Sequence, residues 1–261
     1  MRTILKEKYG DIVVLSQCAA AGDLSPRILH YKRAQERRYA LKYGETEFPE
    51  KAEFQEELRN RRDIAQRICA AFDEVLPWAS KDMIRDAKVL HTVRDIQLQR
   101  WLISDADYQQ AKEELEKIGD FQPQKSDDLR EDFHRNSLHS AGVNRFKNIV
   151  RRYEAQKEDP CVGMELHAIR VGDIAFTSNP FELYMDFQHR IQARSPFVQT
   201  FIIQLCDTTG KRDSSGYLAT ERGEANVGYS ANIFSNNVSY EGGQTLVEET
   251  LRALNELADP T

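Results

Sequence analysis

The 261-residue chain lacks several features that would place a protein in a functional class. It has four cysteines, and none of them forms a Cys-x-x-Cys pair or a zinc-finger spacing: Cys18, Cys69, Cys161 and Cys206. Because three of the four have apolar neighbours in the sequence, we expect buried free thiols in preference to disulfides. The sequence therefore provides neither a disulfide framework nor a cysteine-based metal site.

Excess positive charge and long apolar runs are also missing. Acidic residues outnumber basic ones, 42 to 36, and the net charge of −6 gives no reason to expect nucleic-acid binding. No apolar run approaches the roughly 20 residues that a membrane-spanning helix needs. No signal peptide and no internal repeat is visible. We therefore expect no transmembrane segment and, for the chain as written, a cytoplasmic location.

The patterns that are present predict a mixed α/β fold. Apolar runs and alternations predict four strands, at about residues 11–17, 88–103, 162–177 and 198–206. Apolar residues at steps of three and four predict helices, from about residue 50 to just before Pro77, at 105–118 and at 244–257, and a charged helix pair over 127–157 interrupted near Gly142. We expect one domain over residues 1–261, with a central sheet of several strands and helices packed on it.

The stretch Ile174–Ser195 organises this prediction. A strand ending at Thr177 is followed by the N-cap residues Ser178 and Asn179, by Pro180 and by a helix. The apolar face of that helix comprises Leu183, Tyr184, Phe187 and Ile191. Glu182 then lies at the start of the helix, where side chains of such folds often meet a ligand. Alternatively, Glu182 closes a capping box with Asn179 and has no further role.

A second candidate segment is Cys18–Pro26, with the sequence CAAAGDLSP. Its small residues, and Gly22 above all, permit a ligand or another backbone to approach closely. Ser25, with Asp23 nearby, is a candidate nucleophile or polar positioning group, although the Gly-x-Ser-x-Gly elbow is absent. In the alternative reading Ser25 caps a helix opened by Pro26, while Asp23 forms an Asx-turn.

Three segments together resemble the catalytic domain of the neutral/alkaline ceramidases and their bacterial relatives. They are AAGDLSPR near the start, NPFE followed by RIQARSP and TFIIQL, and GYLATE through GYSAN to EGGQTLVEETLRALNEL. The match depends on their order and spacing over nearly the whole chain. The family hydrolyses the amide bond of N-acyl sphingosines with one zinc ion, and many of its members are exported.

The resemblance implies roles for individual residues. Ser25 matches the active-site serine, with Asp23 beside it and Gly22 in the same loop. Glu182 matches the carboxylate zinc ligand, and Tyr229 matches a tyrosine zinc ligand. A substrate-binding loop comprises Tyr217, Thr220 and Glu221. An open zinc position would activate water and polarise an amide carbonyl. We therefore predict that Gly22, Ser25, Glu182 and Tyr229 converge in space.

The chain also departs from the family. The family's two histidine zinc ligands lie in the first half of its catalytic domain, and none of the six histidines here stands in such a motif. Arg27 replaces the asparagine that usually follows Ser-Pro, and the family's immunoglobulin-like domain is missing. We expect the rear part of a catalytic domain, produced as a shortened fragment or encoded as a short frame. Its open sheet would be covered by self-association or by the missing N-terminal half.

The functional prediction is a zinc-dependent amide hydrolase whose ligand is an amide or a sphingolipid-like small molecule. The isolated chain is expected to bind zinc weakly or not at all and to be inactive, because Glu182 and Tyr229 are only two oxygen donors. The alternative is a non-enzymatic, degenerate binding or partner subunit of the same fold.

Overall fold

The structure, a computed structural model, describes residues 1–26, 30–44, 55–119, 122–123, 125–206, 213 and 215–259. In these residues the fold is mixed α/β, as predicted, with eight helices, a four-stranded sheet and a two-stranded sheet. The chain divides into two compact units. Unit 1 comprises Met1–Gln17 and Leu24–Ala87, and unit 2 comprises Cys18–Asp23 and Lys88–Thr261. That residues 1–261 form one domain resembling the rear part of a catalytic domain stays a prediction.

Unit 1 contains three helices, α1 (Arg2–Tyr9), α2 (Lys32–Tyr43) and α3 (Gln55–Ala79). The Tyr9 ring meets Phe72 of α3 edge to face, with 5.4 Å between the ring centroids, and the Tyr9 hydroxyl donates to Asp73. Because α2 has almost no apolar face, polar contacts hold it against α3. The start of α3 predicted at about residue 50 lies outside the described residues, and its predicted end before Pro77 is wrong, because the helix continues through Pro77 to Ala79.

The polar contacts between α2 and α3 centre on the buried Asp63. Its carboxylate accepts two hydrogen bonds from Arg38, at 2.9 and 3.1 Å, and others from Lys42 and Tyr43. Burial alone would raise the pKa of Asp63, but these hydrogen bonds outweigh it and hold the pKa well below its usual range. The pair of helices is thus fixed by a buried charge that is fully partnered.

The predicted strand at about residues 11–17 is wrong. This segment has no regular secondary structure, and no described strand pairs with it. Val13 is 96% exposed and Leu15 is 78% exposed. An apolar run becomes a strand only where a neighbouring strand pairs with its backbone N–H and C=O groups. The sequence pattern does not predict whether such a strand is present.

Unit 2 is built on a four-stranded sheet. Its strands are β1 (Val89–Gln99), β2 (Cys161–Val171), β3 (Ile174–Ser178) and β5 (Gln199–Ile203), in that order across the sheet. β2 runs antiparallel to both β1 and β3, whereas β5 is parallel to β3. The predictions at 88–103, 162–177 and 198–206 therefore match these strands, with a turn at Gly172–Asp173 between β2 and β3.

The strand and helix predicted around Glu182 need correction. After β3 the chain forms a second short strand, β4 (Phe181–Leu183), and the helix α6 (Met185–Arg194) begins only at Met185. Glu182 therefore lies on a strand, and the capping box with Asn179 does not form. The physical reason is tertiary, because β4 pairs in parallel with β6 (Gly216–Leu218), more than thirty residues further along the chain.

One face of the large sheet carries the main core. The last helix, α8 (Tyr240–Ala258), packs on β1 and β2 and also contacts α6. The core side chains that alternate along β2 are Val162, Met164, Leu166 and Ala168. A Cβ on Gly243 would lie 2.4 Å from Cζ of Phe187, so a glycine is needed where α8 meets α6. None of the described helices is long and apolar enough to cross a membrane.

The remaining helices of unit 2 are α4 (Asp105–Ile118), α5 (Leu129–Glu158) and the short α7 (Glu221–Asn226). The predicted interruption near Gly142 is wrong, since α5 is continuous over 30 residues. The reason is that one interior glycine costs only about 1 kcal/mol, which burial of Val143 and Ile149 on the same helix offsets.

The four cysteines are free, but the expectation that they are buried holds only for Cys69. Cys18 and Cys206 are exposed, and Cys161 is partly exposed. Apolar neighbours in the sequence therefore did not predict burial: Ala20 belongs to the core, whereas Cys18, two residues before it, is exposed.

Candidate functional site

The segment Cys18–Asp23 passes directly over β4. The Gly22 backbone N–H donates to the Leu183 carbonyl oxygen at 2.8 Å. A Cβ on Gly22 would lie 2.2 Å from the Glu182 carbonyl oxygen, closer than atoms tolerate. The predicted close approach at Gly22 is therefore one of backbone to backbone, and it brings this residue against Glu182.

A buried amide fixes this approach. The Gln204 side-chain oxygen accepts from the backbone N–H groups of Ala21, at 3.1 Å, and Leu183, at 3.0 Å. Gln204 also donates from its own backbone to the Cys18 carbonyl oxygen. Sequence analysis missed this residue. Its one signal is that an amide directly follows the apolar run Phe201–Ile203.

Asp23 contacts the start of α6. Its carboxylate accepts from the Met185 backbone N–H at 2.9 Å, and Met185 is the first residue of that helix. A negative charge at this end favours the helix dipole and satisfies a donor that the helix leaves unpaired. Asp23 thus positions α6.

Glu182 and Tyr217 form the centre of the site. They are directly opposite each other in the parallel pairing of β4 with β6. Burial first, and then the hydrogen bond to Glu182, raise the pKa of Tyr217 to about 12. Tyr217 is therefore a neutral hydrogen-bond donor at physiological pH, and Glu182 is its acceptor.

Tyr229 extends this arrangement towards solvent. It is hydrogen-bonded to Tyr217, and the two rings meet edge to face with centroids 6.2 Å apart. Tyr229 is 88% exposed. The structure therefore brings Glu182, Tyr217 and Tyr229 together in unit 2 as one hydrogen-bonded series that ends at the surface, with the Gly22 backbone close to Glu182.

Thr220 and Glu221 lie beside this series at the start of α7. Thr220 is the N-cap residue, and its hydroxyl accepts from the Gly223 backbone N–H at 3.2 Å. Both residues line an open cleft of about 820 Å³, together with Asp23, Tyr184 and Asp186. Two residues of the predicted substrate-binding loop, Thr220 and Glu221, thus border a cavity large enough for a small molecule.

Glu224 is a titratable group that the sequence did not single out. Its carboxylate accepts from the Tyr240 backbone N–H at 2.6 Å. Burial, and then the nearby charges of Glu241 and Glu221, raise the pKa of Glu224 to about 7 in spite of that hydrogen bond. Glu221 and Glu224 are three residues apart on α7, but only the fold brings Glu241 of α8 to them.

Ser25 belongs to unit 1, whereas Gly22 and Asp23 belong to unit 2. In unit 1 it lines a small cavity of about 280 Å³ with Arg38, Tyr39 and Asp63 among its other walls. The alternative, in which Ser25 caps a helix opened by Pro26, falls partly on residues 27–29, outside the described residues; α2 itself begins at Lys32 with Tyr31 as its N-cap residue. Its role at a reacting carbonyl, and its convergence with Glu182, stay predictions.

The donor groups of this site do not make a complete catalytic zinc site. Such sites use three protein ligands, usually including imidazole or thiolate. Glu182 and Tyr229 offer oxygen only, and Tyr217, which shares their hydrogen-bonded series, holds its proton up to about pH 12. Among the residues that the structure describes, no three histidine, cysteine or acidic side chains are grouped so as to hold a metal ion.

Comparisons with family models, with curated proteins and with solved structures found no match to this chain.

Proposed function

We propose that this chain is related to the zinc-dependent amide hydrolases of the neutral ceramidase type, and that unit 2 carries the amide-binding part of their site. The observation that supports the proposal is the hydrogen-bonded series of Glu182, Tyr217 and Tyr229, with the Gly22 backbone against Glu182. These residues come from the same three segments whose sequence carries the resemblance.

The chemistry of the series suits an amide. A secondary amide presents one N–H donor and one carbonyl acceptor. In the proposal, the Glu182 carboxylate accepts from the amide N–H, and the exposed Tyr229 hydroxyl turns its one proton from Tyr217 to the carbonyl oxygen. Tyr217, which keeps its own proton, donates to Glu182 and holds this carboxylate in place. Binding of this kind requires no metal.

We do not propose that this chain hydrolyses amides by itself, because the oxygen donors of Glu182 and Tyr229 do not form a complete zinc site. At a complete site, zinc would polarise the carbonyl and activate water. Glu182 would be one of its ligands, and histidines from another polypeptide segment would complete the set. The isolated chain should then bind a short N-acyl sphingosine without cleaving it.

The test is calorimetric titration with N-hexanoyl sphingosine. Since a hydrogen bond to a charged group contributes about 1.5–3 kcal/mol, Glu182→Gln should weaken binding by about tenfold or more. Glu116→Gln on the exposed face of α4 makes the same chemical change away from the site and should leave the affinity unchanged. Equal affinities for the parent chain, E182Q and Tyr229→Phe would refute the proposed site.

The alternative is a non-enzymatic binding or partner subunit, and the incomplete zinc donor set favours it. The genomic sequence preceding the Met1 codon discriminates between the two. An in-frame segment with histidine motifs that restores zinc binding and hydrolysis when expressed with this chain supports the hydrolase. A chain that binds the amide but never hydrolyses it with such a segment supports the alternative.

A further inference from the structure

A second cleft of unit 2, of about 860 Å³, lies between α5 and the loop that carries Tyr229. We call it the basic cleft, because three cationic side chains, Arg145, Lys147 and Arg151, line it together with Asn148, Asn232 and Ser235. No acidic side chain is among its described lining residues. The spacing of Asn144, Asn148 and Arg151 along α5 places them on one face of the helix.

The positive charge of this cleft is only partly compensated. Arg151 forms an ion pair with Asp213, a residue that also pairs with Arg100. Arg145 and Lys147 line the cleft, and neither has an acidic partner in the part of the chain that the structure describes. In a protein whose net charge is −6, such a local excess is a feature of this surface and not of the whole molecule.

The polar groups of the cleft also retain unused hydrogen-bonding capacity. The Arg151 Nε is buried and has no acceptor among the described residues, although the other two guanidinium nitrogens are bonded to Asp213 and Asn148. Buried N–H groups in proteins are nearly always paired, so this one has capacity for an acceptor that the described residues do not supply.

The walls of the cleft are held in place before any ligand binds. The Arg145 guanidinium lies 3.7 Å from the centroid of the Phe234 ring, a cation–π contact. The buried Arg152 donates to the carbonyl oxygens of Ile233 and Trp101, which fixes the loop against α5. A preorganised site loses less entropy when a ligand binds.

We infer that the basic cleft binds the anionic group of a small molecule, a phosphate, sulfonate or carboxylate. Its size matches that of small-molecule sites, and its cations and amides are the donors that such anions accept from. Tyr229 lines the cleft and also ends the series that begins at Glu182. The last step rests on the proposed function: the ligand is then an amide that also carries a negative charge.

The anion site is tested with inorganic phosphate, titrated into isotopically labelled protein and followed by NMR at constant ionic strength. Arg145→Gln and Lys147→Gln should each weaken phosphate binding by about fivefold or more, since each removes one charged donor. Arg130→Gln removes the same charge from an exposed position on the first turn of α5 and should change nothing. Methanesulfonate and acetate, titrated in the same way, rank the three anion types.

Two outcomes would overturn the inference. One is phosphate affinity that is unchanged in both R145Q and K147Q while the variants remain folded by circular dichroism. The other is an equal loss of phosphate affinity in R130Q, which would mean that phosphate binding depends only on the overall charge of the protein. Glu182→Gln should leave phosphate binding unchanged. A failure of the proposed amide site, measured with N-hexanoyl sphingosine, can therefore be told apart from a failure of the anion site.

The link between the two sites is tested with a matched ligand pair, N-hexanoyl taurine and N-hexanoyl ethanolamine. Both carry the same acyl amide, and only the first carries a sulfonate. The taurine compound should bind more tightly, and R145Q should remove that difference. Equal binding of the two ligands to the parent chain would separate the basic cleft from the amide site.

Discussion

Tyr217 lies directly opposite Glu182 on two neighbouring parallel strands, and its hydroxyl donates a hydrogen bond to the Glu182 carboxylate. This pair joins the buried side of the site to the exposed Tyr229. It also sets the protonation state of the site, because a tyrosine beside a carboxylate keeps its proton.

The first prediction is that Tyr217 titrates near pH 12, well above an ordinary tyrosine. Glu182→Gln should lower the pKa of Tyr217, because it removes the nearby negative charge and the acceptor. The pKa should still stay above the ordinary value, since burial remains. NMR of tyrosines labelled at Cζ, assigned by comparison with Tyr217→Phe, measures both values. A Tyr217 pKa that does not respond to E182Q would contradict the hydrogen bond.

The second prediction concerns the approach of Gly22 to β4. Gly22→Ala places a methyl group 2.2 Å from the Glu182 carbonyl oxygen and should lower the free energy of unfolding by about 2–3 kcal/mol. Gly142→Ala is the control, because nothing lies within 4 Å of its Cβ position on α5, and it should raise stability by about 0.5–1 kcal/mol. Urea denaturation measures both, and equal effects would mean that the close approach is not real.

The third prediction concerns Gln204. Gln204→Leu keeps the size of the side chain but leaves the backbone N–H groups of Ala21 and Leu183 without an acceptor. We expect a loss of about 2–4 kcal/mol in the free energy of unfolding. Gln199→Leu, at an exposed position on the neighbouring part of β5, should cost little. If both variants unfold at the same urea concentration as the parent, Gln204 does not hold the segment Cys18–Asp23.

The fourth prediction is a pH dependence that arises from Glu224. Its folded-state pKa of about 7 lies above the ordinary value of 4.5, so folding favours the protonated form. The stability that this group contributes is fully present below about pH 4.5 and is lost as the pH rises through about 7. Because the side chain is partly exposed, we expect the loss to be about 1–2 kcal/mol.

Urea denaturation between pH 4.5 and 8 measures this loss in the parent chain. Glu224→Gln should flatten the curve over that range, since the amide does not titrate. Glu116→Gln, which removes a carboxylate from an exposed position on α4, should retain the slope of the parent. An unchanged slope in E224Q would assign the pH dependence to another group.

The sequence determined those elements whose signal is local. The alternation of apolar residues predicted β2, with Met164, Leu166 and Ala168 facing the core. The helical spacing of apolar residues predicted α8, at Leu246, Val247, Leu251 and Leu254. Phe187 and Ile191 are buried on α6 as their periodicity indicates. Such patterns survive folding, because a helix or strand must bury its apolar side whatever its neighbours are.

Tertiary structure decided the site. Glu182 lies on a strand and not on a helix because β6, distant in sequence, supplies the partner for β4. Residues 11–17 have the composition of a strand, but none of the described strands pairs with them, and they form no strand. Gln204, Glu224 and Arg145 acquire their roles only from groups that the fold places against them. Burial, hydrogen-bond partners and shifted pKa values depend on distances between segments, and a linear pattern of residues does not contain those distances.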